Sequence, residues 1–347
     1  VTQAKSSKCQ RGDISPDGRH YWAGDVWQWQ PFWLDAVDVA EAVRQEFGRT
    51  VINVRFLAAG MLNQSWHVET THRSYVLRIS RRERSRAQVA YEHEFLGQLM
   101  GHVEEVVAPL AGNDGETIQS FREHILSLFP FVDGVSGEAV DPDVRQLQSA
   151  NMLARLHRAS LDHIHLGQRP GIRSFDEEWR TVWQSVNPIL RRDLVGKSGF
   201  DELIGTLDGE VASLERWLED LHAWHRPLAG TTIHGDFNPR NVIFCDSRIA
   251  AIIDWDECRV DPIVWEVAQV GFGSPDVEPF AFWDVYLDAG GPLPRSDLDL
   301  MMNFARMGAL LALQYTEKDG RATPHALDQL RDIATDLSRI DRIDVQP

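Results

Sequence analysis

A chain of 347 residues with 43% hydrophobic and 25% charged side chains can bury a core in each of about two domains, and this composition excludes a largely disordered polymer. Its 52 acidic residues outnumber 35 basic ones, and the formal charge of -17 speaks against a surface built for the phosphate backbone of nucleic acid. Cys9, Cys245 and Cys258 are few, odd in number and form no CxxC pair, so neither a disulfide framework nor a zinc knuckle is indicated.

Residues 1–31 are polar with scattered tryptophans, follow neither secondary-structure period and read as an N-terminal extension. They contain no hydrophobic segment of a secretion signal, and no apolar run reaches the roughly 18 residues of a membrane span, so the expectation is a cytoplasmic protein with no membrane partner. From Phe32 to Phe47, Leu34, Val37, Val39, Ala40 and Val43 predict a helix that Gly48 ends. Val51–Leu57, Ser65–Thr70 and Ser74–Ser80 are β-rich and closely spaced, as in an antiparallel meander. A helix is predicted over Arg84–Met100, with Val89, Phe95, Leu96 and Leu99 on one face, and further strands near Glu105–Pro109 and His124–Phe131. Residues 32–131 thus read as a small α+β lobe. Gly134, Gly137 and Pro142 break both periods, which makes 132–142 a linker.

Residues 143–347 are mainly helical. Helical spacing runs over Asp143–Ala159, Phe175–Leu190, Leu203–Trp224, Pro279–Ala289 and Ser296–Thr316, interrupted by a strand-like island from Thr231 to Asp256. In that island Asp236 precedes Asn241 by five residues, and Pro239 keeps the segment between them irregular. Asp254 follows the apolar run Ile249–Ile253, and an ionised carboxylate there needs a partner. Magnesium suits it, because it takes one or two carboxylates together with phosphate oxygens, and Asn241 would add a neutral oxygen. A catalytic Asp, an Asn five residues on and a second metal-binding Asp form the spacing of a phosphoryl-transfer centre.

The segment His234-Gly235-Asp236-Phe237-Asn238-Pro239-Arg240-Asn241, followed by Ile253-Asp254-Trp255-Asp256, resembles the aminoglycoside phosphotransferase and choline kinase family, which includes homoserine kinase-like members. The resemblance implies an α+β, bilobal protein-kinase-like fold with ATP (or GTP) between the lobes. It also implies Asp236 as catalytic base, Asn241 and Asp254 on Mg2+, and His234 with Asn238 supporting the loop. Gly60, Asn63, Gln64 and Ser65 occupy the place of the family's phosphate-covering loop. Arg78 stands on the nucleotide-anchoring strand where many members carry lysine, and no lysine occurs between Lys8 and Lys197. A guanidinium keeps that role with a different geometry. Its carboxylate partner is Glu92 or Glu94, with Glu92 favoured. Leu128, Phe129 and Phe131 match the segment whose backbone meets adenine. Asp256, Glu257, Asp261 and Glu266 are candidate substrate contacts, and Glu266 departs from the aspartate common in the family. His157 reads as a packing residue.

These residues lead to the expectation of an ATP- and magnesium-dependent transfer to a hydroxyl of a small molecule, with an aminoglycoside or another hydroxyl-rich antibiotic as first choice. A metabolic kinase for homoserine, choline or a sugar is the alternative, and a nucleotide-binding pseudokinase the second. Gly196-Lys197-Ser198 is declined as a P-loop because Arg191 stands where the first glycine is required. The Asn63-Gln64-Ser65 and Arg11-Gly12-Asp13 tripeptides are declined for want of an extracellular context.

Overall fold

The computed structural model describes residues 34–57, 63–223, 227–273 and 279–343. The N-terminal extension and Gly60 lie outside the described residues, as does Trp224 at the end of the helix predicted from Leu203. The described chain divides into two compact units. One comprises the residues up to Ala139 together with Arg240–Asp256, and the other comprises Val140–Pro239 and the residues from Glu257 onward. The first unit thus reclaims seventeen-odd residues of the strand island that sequence boundaries assign to the helical part, because their hairpin packs with the sheet unit.

In the first unit, α1 (Ala36–Phe47) begins at Asp35, whose carboxylate accepts the N–H groups of Val37 and Asp38, and ends at Gly48 in the left-handed region. There follow β1 (Val51–Leu57), β2 (Gln64–Thr70), β3 (Ser74–Ile79), α2 (Arg86–Leu99), β4 (Gln119–Phe121) and β5 (His124–Pro130). The sheet runs antiparallel in the order β1-β2-β3-β5-β4. Val39, Val43 and Phe47 of α1 cover Phe56, Val68, Leu77 and Leu128 of the strands, so one sheet face is closed by an amphipathic helix. Ser85 and Gln88 form a reciprocal cap at the start of α2. The strand expected over Glu105–Pro109 does not form. Val106 makes a single parallel bridge to Ile252, and the Glu105 carbonyl accepts the Ile252 N–H.

A second small sheet joins β6 (Val135–Ser136), β8 (Val242–Cys245) and β9 (Arg248–Ile252). Gly134 is required here, since a Cβ would lie 2.4 Å from the Phe244 carbonyl oxygen.

The second unit holds α3 (Pro142–His163), α4 (Phe175–Leu194), α5 (Phe200–Ala223), β7 (Gly230–Ile233), β10 (Arg259–Pro262), α6 (Ile263–Phe272), α7 (Pro279–Asp288), α8 (Met301–Leu311) and α9 (Ala326–Asp341). β7 pairs antiparallel with β10, setting Ile233 opposite Arg259. The helix expected over Ser296–Thr316 is α only at its centre and tightens to 3-10 geometry on both sides. α6 escaped the periodicity reading because it is apolar nearly all round and buried, leaving no polar face to mark a period.

Candidate active site

In the second unit, β7 delivers the chain to His234 and Gly235. Gly235 has φ 83°, and a Cβ on it would lie 2.2 Å from the Glu257 carbonyl oxygen, so only glycine lets the loop turn there. The turn is fixed from below by Glu266 on α6. Its buried carboxylate accepts the N–H of Gly235 at 2.6 Å and of His234 at 3.3 Å. His157 on α3 places Nε2 2.8 Å from the same carboxylate, and its Nδ1 lies 2.9 Å from the Tyr286 hydroxyl on α7. Burial raises the Glu266 pKa, but the His157 hydrogen bond and the loop amides outweigh it and hold the group below its ordinary value. Burial, reinforced by the Glu266 charge, pushes the Tyr286 hydroxyl well up.

Above this brace, the Asp236 N–H donates to His234 Nδ1 at 3.2 Å, so that ring nitrogen carries no proton. Asn238 Nδ2 donates to Asp236 Oδ1 at 2.8 Å and to its carbonyl at 3.2 Å. Asp236 is exposed, and its carboxylate is oriented by the neighbouring amide.

Two of the three candidate substrate carboxylates of this unit, Glu266 and Asp261, are buried and held by protein donors. Glu266 is the brace just described. Asp261 is buried, receives Arg259 Nε at 2.5 Å and accepts the Phe175 N–H at 3.3 Å, while burial pushes its carboxyl up against the pull of Arg259. Both carboxylates are thus engaged by protein donors. Glu257 is half-buried and lies 3.8 Å from Arg259, which also binds Glu178 at 2.9 Å.

In the first unit, the Asn241 carbonyl accepts the Ile253 N–H at 2.9 Å, and Val242 pairs with Ile252. Asn241 and Asp254 therefore flank the same open end of the β8–β9 hairpin. Asp254 is exposed and has φ 62°, a left-handed conformation uncommon for a non-glycine residue and frequent at functional turns. An amide oxygen and a carboxylate are the hard-oxygen donor types that magnesium takes beside phosphate, and these two residues are the candidates to hold it.

Arg78 is buried on β3. Its Nη2 lies 2.6 Å from Glu92 Oε1, its Nη1 3.2 Å from Asp256 Oδ1, and its guanidinium 5.0 Å from the centre of the Phe129 ring. Glu92 is thus the partner, while Glu94 points to solvent. Burial alone would lower the Arg78 pKa, but Glu92, Asp256 and Asp254 hold it above its ordinary value. Asp256, read from the sequence as a substrate contact, is instead buried between Arg78 and Arg84, with Arg84 Nη1 at 2.5 Å and Asn63 Nδ2 at 2.7 Å. The two arginines outweigh burial and depress its pKa to about 2. Arg84, which also pairs with Glu92, was missed in the sequence because it sits in the charge run 81–86 (RRERSR). Such a run reads as a solvated surface.

The phosphate-loop and adenine candidates have the following partners within this unit. Gln64 is buried, and its Oε1 accepts the Leu34 N–H at 3.3 Å at the entry to α1. Asn63 accepts the Arg81 N–H at 3.0 Å while donating to Asp256. Ser65 sits within β2 opposite Arg78. The Leu128 side chain is core and its carbonyl accepts the Leu110 N–H, while the Phe131 N–H donates to Ser74, so these two backbone groups serve the sheet. The Phe131 ring meets His67 edge-on at 4.5 Å.

The phosphotransferase enzyme family matches residues 53–299. Homoserine kinase of Caulobacter sp. is 28% identical over 215 residues, covering 61% of this chain and 62% of that protein. Homoserine kinase of Brucella anthropi is 25% identical over 240 residues, covering 68% and 67%. The alignment thus spans less than two thirds of the Caulobacter relative's length. Among solved structures, the microcompartment-associated aminopropanol kinase superposes with a TM-score of 0.67 at 18% identity, covering 88% of this chain and 97% of that one. A spectinomycin phosphotransferase bound to ADP and spectinomycin gives 0.63 at 14% identity, covering 89% and 99%. These likenesses establish a kinase-like fold, and the family match over most of the chain places this protein in the phosphotransferase enzyme family.

Proposed function

We propose that the protein transfers the γ-phosphoryl group of ATP to an alcohol of a small molecule. Asp236 orients the acceptor hydroxyl and accepts its proton as the oxygen attacks γ-phosphorus and the bond to the ADP leaving group breaks. Asn238 holds the carboxylate for that task, and Glu266 fixes the loop. Asn241 and Asp254 hold magnesium, which when bound neutralises phosphate charge, and Arg78 anchors the phosphates. The observation carrying this reading is that Asn241 and Asp254 stand at one hairpin end, with Asp254 exposed in a left-handed conformation.

For the acceptor, the curated relatives named homoserine kinase and the structural neighbour named aminopropanol kinase favour a small amino alcohol over the antibiotic placed first by sequence. The antibiotic remains the second reading, supported by the spectinomycin-bound neighbour. Purified full chain with ATP and magnesium should release ADP in the presence of homoserine or aminopropanol, and Asp236→Ala should lower that rate by roughly a thousandfold or more. Turnover with spectinomycin or hygromycin alone reverses the order of acceptors. Nucleotide binding without ADP release on any acceptor would leave a pseudokinase.

A further inference from the structure

Five buried polar side chains of the first unit form a closed cluster. Glu92 offers one oxygen to Arg78 and the other to Arg84, while Asp256 offers one oxygen to both arginines and the other to Asn63. Two positive and two negative charges cancel, and every carboxylate oxygen has a donor. A single arginine on β3 would need only Glu92. The second arginine and second carboxylate do something further: they tie α2 to the chain immediately after Asp254. Arg84 precedes the capped start of α2, Glu92 lies on its buried face, and Asp256 follows Asp254 by two residues. Trp255, between them, is buried with its ring 5.6 Å edge-on from Phe95 of the same helix, and its indole N–H donates to the Ile252 carbonyl. The residue after Asp254 and the one after that are therefore both fastened to α2, while Asp254 itself is held in a left-handed conformation and presents its carboxylate to solvent.

We infer that Arg84 and Asp256 are positioning residues for nucleotide and magnesium: the Arg84–Asp256 pair, with Glu92, fixes Arg78 and the Asp254 turn on a common support, helix α2. This rests on the proposed roles of Arg78 and Asp254. Neither Arg84 nor Asp256 touches the reacting atoms. The physical reason is geometric, since an exposed carboxylate on an unsupported loop can swing, whereas one followed directly by a buried indole and a buried ion pair is held in place. Loss of the pair should weaken magnesium-supported nucleotide binding while leaving the Arg78–Glu92 contact in place.

The test compares wild type, Arg84→Met, Asp256→Asn and the double variant Arg84→Met/Asp256→Asn by titration with a fluorescent ATP analogue at a series of magnesium concentrations, alongside thermal unfolding without ligand. Each single variant leaves a buried charge uncompensated and should melt lower, whereas the double variant restores neutrality and should melt closer to wild type than either. The double variant should nevertheless need at least tenfold more magnesium for half-maximal nucleotide binding. A magnesium midpoint and nucleotide Kd within twofold of wild type in a folded double variant would overturn the inference. So would recovery of the magnesium midpoint in Arg84→Met by nothing more than lowering the temperature, since that marks a stability effect alone. Acceptor-dependent ADP release by wild type is read separately, so failure of the kinase reading appears as absent turnover with the magnesium shift intact.

Discussion

The two units bury carboxylates in opposite ways. In the sheet unit Glu92 and Asp256 are matched by full positive charges on Arg78 and Arg84. In the helical unit Glu266 is matched by backbone N–H groups and one imidazole. Ion-pair compensation is strong only while positive and negative charges balance, because removing one partner strands another in a poorly solvated place. Compensation by amide dipoles spreads the loss over several weaker bonds. The sheet unit is thus stiff but intolerant, and the helical unit's brace adjusts more gradually, which suits a turn that only has to hold two amides in place.

The sharpest way to expose that difference is Glu92→Gln. It leaves two guanidinium groups facing Asp256 alone and should lower the stability measured by urea unfolding by about 3–5 kcal/mol. A loss no larger than that of an exposed substitution would mean that water already reaches the cluster. The next effect is a pH dependence lodged in the same unit. His93 is enclosed by Thr117 at 2.8 Å and Ser127 at 3.0 Å. Burial depresses its pKa to about 4, with Arg78, Arg84 and Arg86 acting in the same direction and Glu92 opposing them. Between that value and the ordinary 6.5 the unfolded chain binds more protons than the folded one, so stability falls as pH drops through the window, by about 3 kcal/mol. Unfolding followed from pH 7.5 to 4.5 should show this slope, and His93→Gln should flatten it. Asp256, depressed to about 2, loses its contribution only when pH falls below the ordinary carboxylate range, so the two titrations separate on the pH axis.

Legibility from sequence followed the same divide between pattern and direction. The three strands Val51–Leu57, Gln64–Thr70 and Ser74–Ile79 were readable because alternation and tight turns are local properties of the chain. The polar segment His234–Asn241 was readable because polar residues at the ends of apolar strands stand out against their surroundings. The direction of a side chain is not local. Asp256 looked like a cleft residue by its nearness to Asp254, yet the left-handed turn at Asp254 sends the two carboxylates to different environments, one exposed and one buried. Gln64 was read as a phosphate-loop residue, but an even-numbered step along β2 carries it toward α1. Arg84 was hidden among four charged neighbours, because burial of a single member of a charge run leaves no trace in composition.

Glu266→Gln tests the other half of the comparison, and its effect should be the smallest. The amide keeps the volume and one acceptor oxygen, which can still receive the Gly235 N–H. Its NH2 group then takes the place of Oε2 and faces both the His234 N–H and the His157 Nε2–H, donor against donor. His157 can relieve one clash by moving its proton to Nδ1, but then Nδ1 no longer accepts and the Tyr286 hydroxyl must reorient to accept instead. The His234 N–H still loses its acceptor, but no charge is stranded, and the cost in urea unfolding should be about 1.5–3 kcal/mol. Because the strained amides belong to the turn that carries Asp236, turnover should fall more than nucleotide affinity does. Equal destabilisation by Glu92→Gln and Glu266→Gln would erase the distinction between ionic and dipolar compensation in this protein.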